Sequence, residues 1–469
     1  MNMRAQQNHR KKQKGVTLIL TAMAAGVVLP LVGLSIDAGV LYAIKAKLQA
    51  AADAGALAGA RSLNRGLDLA SQSDSARATA LAFFNANFPE GHFGARNRSA
   101  SVTITETAYR TRTVRVDATV TAPAWFLGLL GIRSTEVRAT GMSSRRDVNM
   151  VLVLDRSSSM SGAMSAMRNA ARMFVDKFAE GRDRVGLIVF GGASVLAFPN
   201  PSPSGPSPYF KSASPNVDTL ISQTVNGGNT GTAQALWMAY QELVKLNEAG
   251  ALNLIVFFTD GLPNGIVADF NLPEPAQNLL RITSGCKYRL VQNRPMLGFI
   301  SQTSGFAPTG NTVGIKLHNA STVSSVNEGV ITTNSDGCAF RSNQNYMRQD
   351  VARMPAQDYY GNATTGYVPV DLTRVDSPQQ IGYASLNAAD SAVQRIRQDS
   401  ALNVVIYSIG YFGGSEYPDE EWLKRVANDP RSPSFDPSKP PGLYVKAPTA
   451  ADLNSAFATV ASEILRLAL

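Results

Sequence analysis

The feature that most constrains this 469-residue chain is an uncharged apolar segment near its N-terminus. Residues 15–36 form a run of 22 residues without Asp, Glu, Lys or Arg. As a helix rising 1.5 Å per residue, the segment would be about 33 Å long, enough to cross a hydrocarbon core of about 30 Å. We therefore predict one transmembrane helix over residues 15–36, with the following residues folded outside the bilayer core.

Charge around this segment predicts its orientation. The preceding tail carries five basic residues and no acidic one: Arg4, Arg10, Lys11, Lys12 and Lys14. Positive flanks stay in the cytoplasm, so the domains after residue 36 are expected outside it. A cleaved secretory signal is the alternative, because signal peptides also combine a basic start with small residues. The apolar run is longer than a signal core of about 7–15 residues, which favours an uncleaved anchor.

Composition argues against several classes of function. Five of the nine net positive charges lie in the tail, so the rest of the chain carries only +4, and no nucleic-acid-binding surface is expected. The chain has no Gly-x-x-x-x-Gly-Lys-Ser/Thr loop for a nucleotide, and neither Gly-x-Ser-x-Gly nor His-Glu-x-x-His. Its three histidines are in no recognisable catalytic context. We expect a protein that is not an enzyme, although composition leaves open a metal-assisted hydrolase that would use Asp155 and Asp260.

After residue 147, apolar runs typical of buried strands alternate with segments of helical periodicity. The predicted strands cover residues 148–154, 184–190, 194–198, 252–258, 402–409 and 442–446. The predicted helices cover residues 164–178, 232–246, 384–397, 420–428 and 450–467. This alternation predicts a doubly wound α/β fold, with a mostly parallel sheet covered on both faces.

Oxygen-bearing side chains follow two of these predicted strands. Asp155, Ser157 and Ser159 come directly after residues 148–154, and Asp260 comes after residues 252–258. The carboxyl ends of neighbouring parallel strands meet at one sheet edge, where these side chains are expected together. Carboxylates and hydroxyls without Cys or His suit Mg²⁺, Mn²⁺ or Ca²⁺ rather than zinc.

Together with Thr230 in Thr-Gly-Thr, the Asp-x-Ser-x-Ser and Thr-Asp-Gly motifs resemble the metal-ion-dependent adhesion site of von Willebrand factor A domains. The resemblance implies a Rossmann-like domain. It also implies that Ser157, Ser159 and Thr230 bind the cation directly or through water. Asp155 and Asp260 would complete the shell, leaving one position open for an Asp or Glu of a partner protein.

A second resemblance concerns the N-terminus. The stretch VVLPLVGLSIDAGVLY at residues 27–42 and the Ala-rich residues 47–58 resemble TadG-like proteins, membrane-anchored components of the bacterial tight-adherence (Tad, or Flp) pilus machinery. The resemblance implies the inner membrane as location and a pilin, a secretion-channel subunit or a surface ligand as partner. Residues 14–20 also resemble a type IV prepilin cleavage site, but Leu20 stands where that site has Glu. Processing is therefore not expected.

These predictions divide the chain into a tail, an anchor, a module and an interrupted domain. The boundaries are 1–14 for the basic tail, 15–36 for the transmembrane helix, 37–61 for an Ala-rich helix continuing from the anchor, 62–146 for a small α+β module, 147–261 and 384–469 for the A domain, and 262–383 for an insertion. In the module, residues 73–88 predict a helix, and residues 101–107, 113–121 and 135–142 predict strands. The apolar residues 125–130 are expected in the core of the module rather than in a membrane-inserting loop; a contact with a pilus component is the alternative.

The insertion departs from the A-domain pattern. It is polar and has no long periodic segment, and it leaves the sheet beside Asp260. We expect it on the metal face as a lid or specificity region; a decorative insertion to one side is the alternative. It contains both cysteines, Cys286 and Cys338, which could pair in an oxidising compartment or remain two thiols. Pairing would close a loop of about 50 residues, worth about 4 kcal/mol on the chain-entropy model.

The sequence thus predicts a membrane-anchored protein that captures an acidic residue of a partner through a divalent cation. An acid of the insertion, such as Asp269, Glu274 or Asp336, is expected to occupy the open position until a partner displaces it. The alternative is a structural scaffold or minor pilin-like component of the same machinery, in which no metal matters.

Overall fold

A computed structural model of the chain describes residues 7–192, 194–249, 251–270, 296–302, 307–308, 353–375 and 377–468. The chain forms two compact units. The N-terminal unit comprises Met1–Arg65 and Ala70–Arg145, and the C-terminal unit comprises Gly66–Leu69 and Arg146–Ala468.

The predicted anchor and the Ala-rich segment form one continuous helix, α1 (Gln7–Arg61). Among the described residues it is the one helix long and apolar enough to cross a membrane, by length and composition. Its first half exposes large apolar side chains, including Leu18, while its second half buries alanines such as Ala52. Small residues allow other parts of this unit to approach the second half of α1 closely. A Cβ on Gly141, which lies in the strand over residues 134–146, would be 2.4 Å from the backbone of Ala52.

The remainder of the N-terminal unit is a helix and a three-stranded sheet that pack with α1. Its elements are α2 (Leu69–Asn87), β1 (Arg96–Ala108), β2 (Thr111–Pro123) and β3 (Ser134–Arg146). The central strand β2 pairs antiparallel with β1. Its Val114, Val116 and Val120 join alanines of α1 in one apolar core. The predicted helix and three strands are confirmed, and all four are longer than predicted.

The expectation that residues 125–130 belong to the core of this unit is wrong for Trp125 and Phe126. Trp125 is 52% exposed and Phe126 is 41% exposed. These residues lie in the β2–β3 connection, where Leu127–Leu130 form a short 3₁₀ turn. An apolar run of this length in a connection does not reveal from sequence whether it faces inward.

The C-terminal unit is built on a six-stranded sheet with the order β12-β11-β7-β4-β5-β6. The strands are β4 (Val148–Asp155), β5 (Arg184–Phe190), β6 (Ser194–Phe198), β7 (Leu252–Thr259), β11 (Val405–Tyr411) and β12 (Tyr444–Ala447). All neighbours pair in parallel except β5 and the edge strand β6. The predicted, mostly parallel α/β fold is confirmed.

Helices cover both faces of this sheet. The helices are α3 (Met164–Val175), α4 (Val217–Gln223), α5 (Thr232–Leu246), α6 (Pro378–Gln398), α7 (Glu420–Ala427) and α8 (Leu453–Ala468). Along β4, Leu152 and Leu154 join the core under α3 and α8, whereas Val151 and Val153 join the core under α5 and α6. Because both faces are covered, β4 is apolar at nearly every position.

The region predicted as an insertion contains strands that the sequence did not predict. β8 (Gly265–Phe270), β9 (Met296–Ser301) and β10 (Ala307–Pro308) form a separate antiparallel sheet. Phe270 and Ile300 are buried in the core under α5 and α6. Helix α6 begins at Pro378, six residues before the predicted start, with Ser377 as its cap. Cys286 and Cys338 lie outside the described residues, as do Glu274 and Asp336.

Candidate metal centre

Two carboxylates lie side by side at the carboxyl edge of the six-stranded sheet. Strand β4 ends at Asp155, and the neighbouring strand β7 ends one residue before Asp260. The parallel register pairs Leu154 with Phe258, which brings the two strand ends to the same level. Both carboxylates are fully buried. The sheet therefore places two acids that are distant in sequence in one polar cluster.

Two serines of the β4–α3 loop complete the cluster around Asp260. The hydroxyls of Ser157 and Ser159 lie 3.0 Å apart. They donate to the same oxygen, Oδ1 of Asp260, at 3.2 Å and 3.0 Å. Ser157 is buried, while Ser159 is half-buried. The cluster is therefore reached from solvent on the Ser159 side.

The orientation of Asp155 is fixed by its own β4–α3 loop and by the neighbouring strand β7. Its Oδ1 accepts the backbone N–H of Ser157 at 2.7 Å, and its Oδ2 accepts the hydroxyl of Thr259 at 2.5 Å. Thr259 was not among the predicted site residues. The sequence could have indicated it, because Thr259 is the Thr of the Thr-Asp-Gly motif.

Thr230, the fifth predicted ligand, lies at the edge of this cluster. Its backbone N–H donates to Oδ1 of Asn264 at 2.7 Å, and the N–H of Asn264 donates back to its carbonyl at 3.1 Å. Its hydroxyl would lie 4.0 Å from a Cβ placed on Gly261, the residue after Asp260. The Thr230 hydroxyl thus lies beside Gly261, the residue after Asp260, and Asn264 is a positioning residue that the sequence did not indicate.

A third acid, Glu416, was missed by the sequence reasoning. It lies in the loop after β11, the strand next to β7. A Cβ on Gly261 would lie 3.2 Å from Oε2 of Glu416, and a Cβ on Gly414 would lie 3.4 Å from Oδ2 of Asp260. Glu416 is exposed. Asp269, an acid of the predicted insertion, is also exposed; it lies on β8, opposite Leu297.

The electrostatics of this cluster favour a cation. Burial raises the pKa of Asp155 to about 6. Burial and then the charge of Asp155 raise the pKa of Asp260 to about 7, and Glu416 adds to that rise. In the described parts of the chain, neither carboxylate is paired with Lys or Arg. The Oδ2 atom of Asp260 is buried without a hydrogen-bond partner.

A divalent cation fits these residues. An unsatisfied buried carboxylate oxygen is costly, and coordination would satisfy it. Within the described ranges there is no group of three or more His, Cys, Asp or Glu side chains suited to a metal, so the serine and threonine hydroxyls would have to contribute. Oxygen donors of this kind suit Mg²⁺, Mn²⁺ or Ca²⁺.

This sheet, with its polar cluster at the carboxyl edge, defines a von Willebrand factor A-type domain. Residues 150–262 match the family model described as "von Willebrand factor type A domain". Residues 15–62 match the family described as "Putative Flp pilus-assembly TadE/G-like". The chain therefore carries an A domain together with a TadE/G-like N-terminal region, as the sequence predicted. No curated protein matches the chain.

Several solved structures resemble the chain at low identity. The pilus adhesin SpaC from Lactobacillus rhamnosus GG, in its open conformation, is 14% identical with a TM-score of 0.35; the match covers 81% of this chain and 35% of SpaC. The vWF domain of the type V pili tip protein Mfa5 from Porphyromonas gingivalis is 15% identical with a TM-score of 0.34, covering 69% of this chain and 97% of that domain. This chain thus spans about a third of the length of SpaC.

Replacing Glu416 with glutamine is expected to weaken Mg²⁺ binding by up to about tenfold, because the site loses a nearby negative charge that is partly screened by solvent. Isothermal titration calorimetry at pH 8 measures the affinity. Glu421→Gln is the matched control, since Glu421 pairs with Lys424 at 2.7 Å. Unchanged affinity in Glu416→Gln would remove Glu416 from the site.

Proposed function

We propose that this chain is a membrane-anchored, extracytoplasmic component of a Tad/Flp-type pilus or secretion system, and that its A domain binds a protein partner through a divalent cation. The anchor would be the uncharged part of α1 in the bacterial inner membrane, with the basic tail in the cytoplasm. The partner would be a pilin, a secretion-channel subunit or a surface ligand that presents an Asp or Glu.

The observation that carries this proposal is the buried, unpartnered Oδ2 of Asp260 within a cluster of hydroxyls. Residues Asp155, Ser157, Ser159, Thr230 and Asp260 would hold the ion, directly or through water. The two carboxylates balance the formal charge of a divalent ion and the other three residues offer only neutral hydroxyls, so the ion would stay electron-poor, and an acidic side chain of a partner would complete its shell. The half-buried Ser159 marks the side from which that side chain would approach.

Support for the anchor comes from α1 and the family match. Residues 15–62 match the TadE/G-like model, and the exposed apolar surface of α1 begins in the same region. A helix with large apolar side chains exposed along its first half is unstable in water. A bilayer would cover that surface. The charge of the tail favours the cytoplasmic placement of the N-terminus.

A metal-dependent pull-down tests the binding function. The full-length protein in detergent is the bait, with a membrane and cell-surface extract of the same bacterium as prey, in Mg²⁺ or in EDTA. We expect Mg²⁺-dependent capture by the wild type and none by Asp155→Ala. The matched control is Asp176→Ala, because the Asp176 side chain is 77% exposed.

Two results would contradict the proposal. Equal capture by wild type and Asp155→Ala, with circular dichroism showing both folded, would favour the scaffold alternative. Equal capture in Mg²⁺ and EDTA would do the same. If Asp155→Ala fails to fold, Ser159→Ala replaces it, because Ser159 is half-buried and its loss removes one hydroxyl from the site.

A further inference from the structure

An aspartate in the middle of α1 holds a loop of the N-terminal unit against that helix. Asp37 is 2% exposed and immediately follows the uncharged residues 15–36. Its carboxylate accepts three backbone N–H groups: Oδ1 from Trp125 at 3.1 Å, and Oδ2 from Phe126 at 2.9 Å and Leu127 at 2.6 Å. Three such bonds to one charged group fix the loop at a defined level along the helix.

Gly33, one turn earlier on α1, leaves room for the same loop to pack against the helix. A Cβ on Gly33 would lie 2.5 Å from Cδ1 of the Phe126 ring, so a larger residue there would displace the ring. Gly33 lies within the uncharged segment. The loop therefore abuts the last turn of the segment that would cross the membrane.

Three large apolar side chains of this loop are uncovered. We call residues 125–133 the interfacial loop. Trp125 is 52% exposed, Phe126 is 41% exposed and Ile132 is 51% exposed. Arg133 follows and is also exposed. On α1, Ile36 and Leu34 at the same level are exposed as well. The exposed apolar surface of the helix thus continues onto the loop.

We propose that the interfacial loop lies in the same bilayer surface as the end of the anchor, with Trp125, Phe126 and Ile132 against acyl chains and Arg133 among the lipid phosphates. The proposal rests on the membrane anchoring proposed above. Trp is enriched at the boundary between hydrocarbon and headgroups, and basic side chains reach the phosphates from there. A bilayer is the occupant that covers helix and loop together.

This contact would set the orientation of the N-terminal unit. A single helix tilts and rotates in a bilayer unless interfacial residues hold it. A second apolar contact on one side of α1, held by Asp37, fixes both its rotation and the depth at which the unit emerges. The burial of Asp37 follows from the same arrangement, since a carboxylate at the membrane boundary is tolerated when its oxygens accept N–H groups.

Trp fluorescence in brominated bilayers tests the inference. The chain has three Trp residues; Trp422 is fully buried and Trp237 is half-buried in the C-terminal unit. The full-length protein is inserted into vesicles of phosphatidylcholine and phosphatidylglycerol brominated near the headgroup end of the acyl chains. We expect bromine to quench the wild type and Trp237→Phe, and this quenching to be lost in Trp125→Phe.

The outcomes separate the loop from the anchor. Protease protection of the tail inside the vesicles shows whether α1 spans the bilayer. If α1 spans it and Trp125 is not quenched, the loop inference is overturned and the anchor stands; such a surface would then be open to a protein partner. If α1 does not insert, both proposals fall.

A pair of variants tests the role of Asp37. Asp37→Ala is expected to reduce the Trp125 quenching, because the loop loses the acceptor of three N–H groups. Asp53→Ala on the same helix is the matched control, since the Asp53 side chain is exposed and, within the described part of the chain, accepts a hydrogen bond from Gln49 alone. Equal quenching in Asp37→Ala and Asp53→Ala would show that Asp37 does not position the loop. If Asp37→Ala fails to fold, Gly33→Leu takes its place, because it displaces the Phe126 ring and leaves the carboxylate intact.

Discussion

Replacing Asp260 with asparagine is expected to stabilise the metal-free C-terminal unit at pH 8 and to remove its stabilisation by Mg²⁺. Burial and the charge of Asp155 raise the pKa of Asp260 to about 7, so the ionised group at pH 8 opposes folding. An amide removes that charge, while its oxygen still accepts the hydroxyls of Ser157 and Ser159. We expect a rise in melting temperature of about 5–10 °C, because the relieved cost is on the order of a few kcal/mol.

The same variant is expected to lose the effect of the metal. In the wild type, Mg²⁺ at 100 times its dissociation constant adds about 2.7 kcal/mol, or roughly 5–10 °C. The melting of the C-terminal unit is followed through the fluorescence of the buried Trp422. Asp269→Asn serves as the control, since Asp269 is exposed on β8. A variant that melts lower than wild type in EDTA, or that still responds to Mg²⁺, would contradict this account of the site.

The site residues that could be predicted from sequence are those that stand next to a predicted strand in the chain. Asp155 and Asp260 each follow an uninterrupted apolar run, and parallel strands bring such positions to one edge. Ser157 and Ser159 needed only to be close to Asp155 in the chain. For these four residues, local pattern and sheet geometry were sufficient to predict proximity.

Glu416 could not be found in this way because its place depends on strand order. The loop after β11 reaches Asp260 only because β11 lies next to β7, and the sequence does not reveal which strands are neighbours. Asn264 is similar, because its role comes from pairing with the backbone of Thr230, 34 residues earlier. The prediction that Trp125 lies in the core was wrong for a different reason, since the same apolar residues suit a core and a membrane surface equally well.

The stability of the metal-free C-terminal unit is expected to fall as pH rises from about 4 to about 7. Folding raises the pKa of Asp155 to about 6 and that of Asp260 to about 7, so both bind a proton more tightly in the native state than in the unfolded chain. Unfolding then releases protons, and rising pH favours the unfolded state. Each pKa unit by which folding raises a group is worth about 1.4 kcal/mol, so the total loss for the two carboxyls, which titrate as a pair, is on the order of 7 kcal/mol, or more than about 10 °C in melting temperature.

Mg²⁺ should oppose this trend, since protons and the cation compete for the same carboxylate oxygens. At pH 5 both carboxyls are mostly protonated, so the melting temperatures in Mg²⁺ and in EDTA should coincide. At pH 8 both are ionised, and the two melting temperatures should differ most. Melting curves at pH 5, 6, 7 and 8 measure both trends, and Asp260→Asn should flatten them. A metal-free stability that rises across this window would mean that the two carboxylates are not held as a repelling, unpaired couple. In that case the cluster would have no physical reason to recruit a cation, and the binding function proposed for it would lose its basis.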